Sequence, residues 1–122
     1  SGFISSINGL DIIERDENLP NFVSLKKING EIFYLKNLSN TNDIRNKIVL
    51  IESADPGYDW IFLYNIKGLI TKYGGAASHM TIRCAEFGLP AAIGCGESLF
   101  NELKNSSLIN LNCNLKEITI LK

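Results

Sequence analysis

Gly68-Leu-Ile-Thr-Lys-Tyr-Gly-Gly-Ala-Ala-Ser-His-Met-Thr-Ile-Arg-Cys-Ala-Glu-Phe-Gly-Leu-Pro-Ala-Ala-Ile-Gly94 is the stretch that decides the fold. Gly68 to Thr71 is a short run of strand formers. Lys72 to Ala77 is a loop containing Gly74-Gly75, where the missing side chains let another molecule approach the backbone. Ser78 has the chemistry of an N-cap, and the pattern from His79 to about Phe87 is helical. Gly88 and Pro90 stop that helix, and Ala91 to Gly94 is a second short apolar strand. Two parallel strands joined by a helix cross over right-handed, with the helix on one face of the sheet.

The same logic extends outward. Lys47-Ile-Val-Leu-Ile-Glu52 is a continuous apolar run, the pattern of a strand covered on both faces. Asp55-Pro56-Gly57 turns the chain, and Tyr58 to Asn65 reads as a short, well-buried helix. Glu31 to Leu35 reads as a strand following an Asn29-Gly30 turn. Ser98 to Asn105 reads as a helix, and Leu108 to Leu111 and Ile118 to Leu121 as terminal strands. The expectation is an α/β domain, a compact sheet with two or three helices packed on it, spanning residues 25–122. Residues 1–24 read as a lead-in or linker segment.

Composition narrows the function classes. A chain of 122 residues, 45% hydrophobic and 20% charged, is one domain with enough apolar surface for a core. The net charge of -1 supplies no basic field for nucleic acid. No apolar run is long enough to span a bilayer as a helix. The opening Ser1-Gly2-Phe3 lacks Met and the cationic-then-apolar pattern of a signal peptide, so the chain is expected to be a cytoplasmic piece of a longer protein. Cys84, Cys95 and Cys113 are odd in number and form no CxxC pair, which fits buried thiols in a reducing compartment.

The single histidine, His79, falls in the first turn of the predicted helix. Backbone N–H groups there are unpaired and carry partial positive charge, so an anion is held by both. An imidazole beside a phosphate cradle is what a histidine needs to accept a phosphoryl group and keep it. Plainer readings stand beside this one. A histidine at a helix start is often a cap or a surface residue. A Cys₃His zinc site is formally available, but the spacings match none of the close-paired patterns, so no metal is expected. Ser78 reads as a cap rather than as a hydrolase nucleophile, for lack of a second histidine and a nucleophile elbow. A non-catalytic anion-binding or interaction module would keep the same cradle.

Gly74, Gly75, Ser78, His79, Ile82, Glu86, Gly88, Leu89, Pro90, Ala91 and Gly94 fall without gaps on one pattern. With them the chain resembles the phosphohistidine, or swivelling, domain of phosphoenolpyruvate-utilising enzymes. That group includes phosphoenolpyruvate synthase, pyruvate phosphate dikinase and rifampicin phosphotransferase. The resemblance implies a β/β/α swivelling fold, with His79 as the transiently phosphorylated catalytic residue and Gly74, Gly75 and Ser78 as its phosphate cradle. It also implies a domain inactive alone and binding no cofactor of its own. ATP and Mg²⁺ would then sit on an ATP-grasp nucleotide-binding domain of the same chain, and a small molecule would accept the group.

The departures are informative. Ala77 stands where many relatives carry Thr, Ala85 where many carry Arg, and Ala54 replaces the Thr of a Thr-Asp-Pro turn. Arg83, four residues after His79, lies on the same helix face and is the candidate to meet a phosphoryl group. Its alternative is a pairing with Glu86. Glu52 to Phe62 and Ile66 to Gly75 look similar to the C-terminal part of bacterial kinases acting on small metabolites, of the L-glutamine kinase type. Phosphoenolpyruvate synthase-like or pyruvate phosphate dikinase-like chemistry is the alternative.

Overall fold

The computed structural model describes residues 19–37 and 41–122. Seven strands form one curled sheet in the order β1-β5-β4-β3-β2-β6-β7. They are β1 (Asn21–Val23), β2 (Lys27–Tyr34), β3 (Ile48–Ser53), β4 (Gly68–Tyr73), β5 (Ala91–Ile93), β6 (Leu108–Asn112) and β7 (Glu117–Ile120). The pairs β2–β3, β3–β4 and β4–β5 are parallel, whereas β1, β6 and β7 join antiparallel at the flanks. Among the described residues, two α-helices, α1 (His79–Phe87) and α2 (Glu97–Lys104), and two 3-10 segments, Asn42–Ile44 and Pro56–Leu63, connect the strands.

Strand β3 shows why the sheet is central. Its side chains alternate between two cores. Val49 and Ile51 point into one, with Ile44, Ile61, Met80 and Cys84, while Ile48 and Leu50 point into the other, with Phe100, Leu103 and Ile109. Both faces are covered, so the strand has no polar face to show. The three crossovers between parallel strands pack on the first face, and α2 packs on the second.

Three expectations need adjusting. Asn29-Gly30 is not a turn: both residues lie inside β2, where Gly30 faces Ile109 across the β2–β6 pair. A Cβ on Gly30 would sit 2.9 Å from the Ile48 side chain, so this glycine permits close packing, not chain reversal. The short helix expected over residues 58–65 is present with other bounds and geometry: it runs from Pro56 to Leu63 as a 3-10 helix, capped by Asp55 Oδ1 accepting from the Gly57 N–H at 2.8 Å. The sheet also starts upstream of residue 25, because Asn21–Val23 pairs with β5 and buries Val23. Residues 1–18 of the expected lead-in lie outside the described residues.

Candidate active site

The C-terminal ends of the parallel strands share one edge of the sheet, the usual place for ligands in α/β architecture. The 3-10 segment 56–63 starts from the end of β3 there, and the loop to α1 starts from the end of β4. Gly74 and Gly94 seat that loop. Gly94 has φ +79°, and a Cβ on it would collide with the Gly74 carbonyl. Gly74 has φ +137°, and a Cβ there would lie 2.8 Å from the Ala54 methyl. The buried Thr71 hydroxyl holds the same crossing, accepting from the Gly94 N–H at 2.9 Å and donating to the Tyr73 carbonyl at 2.9 Å. Gly75, by contrast, faces open space.

Helix α1 begins as the sequence implies. Ser78 is the N-cap, its Oγ accepting from the Thr81 N–H at 3.4 Å. Thr81 Oγ1 donates to the Gly75 carbonyl at 2.7 Å, so the 3.0 Å contact between the hydroxyls is a donation from Ser78 to Thr81. The Ser78 hydroxyl is consumed in this cap. Gly88, left-handed at φ +64°, closes the helix. Met80 and Cys84 anchor α1 in the core, while Ile82 and Phe87 are exposed.

His79 is therefore the first residue of an anchored helix, with its side chain 39% exposed. Its Nε2 lies 2.9 Å from both oxygens of Asp59, which comes from the 3-10 segment. With that carboxylate ionised, Nε2 carries the proton and donates. Arg83 stands next to the pair, its Nε 3.7 Å from Asp59 Oδ1. Its Nη1 donates to Glu86 Oε1 at 3.2 Å, and its guanidinium lies over the Phe62 and Phe87 rings. Arg83 thus shares the His79 neighbourhood but is tied to Glu86 and Asp59.

Asp59 was not singled out from the sequence. It is 20 residues from His79, and a lone carboxylate in an aromatic segment carries no motif. Thr81 was missed also, although a hydroxyl three residues after a capping Ser is a readable signal. The cysteines lie elsewhere, each buried and free. Burial pushes the Cys84 and Cys95 thiols up to about 12 and raises Cys113, so none is a thiolate nucleophile at neutral pH. Among the described residues no cluster of three or more His, Cys, Asp or Glu is placed to hold a metal ion, and no helix is long and apolar enough to cross a membrane.

A glycine-seated loop, a capped helix and a half-exposed histidine at its first position, on the strand-end edge of a mixed sheet, match a known family. The mobile domain of PEP-utilising enzymes aligns with residues 44–115, more than half of the chain, and the chain belongs to that family. Rifampicin phosphotransferase of Bacillus cereus is 33% identical over 72 residues, covering 59% of this chain and 8% of that protein. Phosphoenolpyruvate synthase of Synechocystis is 29% identical over 85 residues, 69% of this chain and 10% of the relative. The Escherichia coli phosphoenolpyruvate synthase is 27% identical over the same length. The chain thus spans about a tenth of these multidomain relatives or less.

Proposed function

We propose that this chain is the phosphocarrier domain of a multidomain phosphotransferase and that His79 is its transiently phosphorylated residue. The observation that carries the reading is the placement of the chain's one imidazole, half-exposed, at the open end of α1. The N-terminus of α1 favours the charge of a phosphoryl group. In the forward step a ring nitrogen attacks phosphorus, an N–P bond forms, and the donor's P–O bond breaks with its electron pair leaving on the donor oxygen. Reversal onto an acceptor regenerates the free ring. Little covalent work falls to the domain beyond positioning, so donor and acceptor belong to other parts of the protein.

The donor we favour is ATP, bound with Mg²⁺ on an ATP-grasp domain. The acceptor is a small metabolite, and the amide of L-glutamine is the first to try, given the likeness of residues 52–62 and 66–75 to kinases of that type. The matches to phosphoenolpyruvate synthases favour a second reading, in which pyruvate and phosphoenolpyruvate are the exchanging pair. Incubating the whole protein with [γ-³²P]ATP, [β-³²P]ATP or [³²P]phosphoenolpyruvate separates these readings. An acid-labile, base-stable label is expected and should be lost in His79→Ala. An acid-resistant label that survives in His79→Ala would overturn the carrier role.

A further inference from the structure

Asp59 stands between two donors and satisfies one of them. Both of its oxygens are 2.9 Å from His79 Nε2, while Oδ1 is 3.7 Å from Arg83 Nε, too far for a hydrogen bond. Arg83 Nε is buried and has no hydrogen-bond partner. A buried N–H of a charged group left without a hydrogen bond is costly, and a short movement of the carboxylate already facing it at 3.7 Å would supply one. Arg83 itself is poorly placed to make that movement. Its far end is held by Glu86 at 3.2 Å and lies 5.5 Å and 4.9 Å from the centres of the Phe62 and Phe87 rings. Those rings are themselves stacked at 5.0 Å. Asp59 is the freer party, with a 42% exposed side chain on a 3-10 segment, whose hydrogen bonding is weaker than an α-helix's.

We propose that Asp59 is a positioning residue with two seats: on His79 Nε2 in the resting domain, and on Arg83 Nε once Nε2 carries a phosphoryl group. This rests on the phosphocarrier reading above. The first seat holds the ring and keeps the proton on Nε2. It also fills the space into which an N–P bond at Nε2 must grow, so carboxylate and phosphoryl group exclude each other by volume and by charge. Before the N–P bond forms, the Nε2 proton passes to Asp59 while Nδ1 takes one from solvent, so the ring stays neutral. The carboxyl group swings aside, and the freed Nε2 electron pair attacks phosphorus as the donor bond breaks with its electron pair on the leaving group. The carboxylic acid then releases that proton to solvent, and the carboxylate moves to the orphaned Arg83 N–H. Loss of the phosphoryl group reverses the exchange, so the seat of Asp59 reports the load on the carrier.

The test needs no donor domain, because potassium phosphoramidate phosphorylates imidazoles directly, its P–N bond breaking as ammonia leaves. The 122-residue chain has one histidine, so ¹⁵N-imidazole NMR reads a single ring. In the resting chain the Nε2–H tautomer should predominate, and Asp59→Ala should shift the ring toward a mixture. After phosphoramidate treatment the phosphoryl group should sit on Nε2. The Arg83 Nε–H resonance should then move downfield and exchange more slowly with solvent, and this change should be absent in Asp59→Asn. Phosphorylation on Nδ1 with the resting tautomer kept, or an Arg83 Nε–H signal unmoved by phosphorylation at Nε2, would overturn the two seats. The wild-type spectra decide this even if a variant fails to fold. Failure of the whole protein to label His79 with ATP or phosphoenolpyruvate would defeat the carrier reading instead, and leaves the phosphoramidate result to be judged by itself.

Discussion

Helix α2 opens with Glu97 and closes with Lys104, so each end carries the charge its own dipole favours. Its core face holds Phe100 and Leu103, both fully buried. Helix α1, one residue longer, has no acidic residue in its first turn and no basic residue in its last. It buries Met80 and Cys84 but leaves Ile82 and Phe87 about half exposed. The negative charge near its N-terminus comes from Asp59, on a different element. A helix whose task is packing completes its electrostatics within its own sequence. On the phosphocarrier reading, α1 receives an anion, and its N-terminus is left to a partner that can be exchanged.

That contrast can be broken by substitution. Phe100→Ala on α2 should cost about 3–5 kcal/mol of stability, whereas Phe87→Ala on α1, losing the half-exposed stack on Phe62 and the contact with the Arg83 guanidinium, should cost about 1 kcal/mol. Urea denaturation followed by circular dichroism measures both, and equal losses would show that the helices are equivalent structural parts. Gly94→Ala comes next, because φ +79° and the Gly74 carbonyl both oppose a Cβ. A loss of about 3 kcal/mol is expected there, against about 0.5 kcal/mol or less for Gly75→Ala, which meets open space.

Smaller effects sharpen the comparison. Arg83→Ala should slow single-turnover phosphorylation of His79 about tenfold, equivalent to about 1.4 kcal/mol, while circular dichroism shows an intact fold. Arg83→Lys should recover only part of the rate, since it keeps the charge and loses the planar fork. Wild-type rates in Arg83→Ala would make Arg83 a packing residue of α1.

The smallest effect lies on the α2 side, where Tyr34 Oη donates to Glu52 Oε2 at 2.6 Å. The hydrogen bond to Glu52 pushes Tyr34 up to about 12, and the same bond lowers Glu52. The Tyr34 contribution to stability is complete below the ordinary tyrosine value of 10.0 and is lost as pH rises through about 12. The Glu52 contribution is present above its ordinary value of 4.5 and fades as pH falls through its depressed one. The stability gap between wild type and Tyr34→Phe should therefore be widest between these limits and close at both extremes. A gap that does not change with pH would remove this hydrogen bond from the account.

The elements of this fold differ in how openly they are written. Helix α1 was legible to the residue, because Ser78 and Gly88 are local signals that need no tertiary partner. Strand β3 was legible because burial on both faces leaves an unbroken apolar run. Gly30 misled because Asn-Gly is turn chemistry in isolation, and only the Ile48 side chain, supplied by the neighbouring strand, explains a glycine there. Strand β1 was hidden because three residues carry too little periodicity, and its pairing with β5 is set by the sheet edge. At the site, His79 and its glycines form a contiguous motif, whereas Asp59 acquires its place only when the 3-10 segment and α1 meet.

The central claim is that His79 carries the phosphoryl group, and tandem mass spectrometry tests it most directly. The whole protein would be quenched at alkaline pH within one turnover of donor addition and fragmented by electron transfer, which preserves phosphoramidate bonds. The account predicts a single phosphoryl modification located on His79. A modification on Ser78, or on any other residue with His79 unmodified, would contradict it.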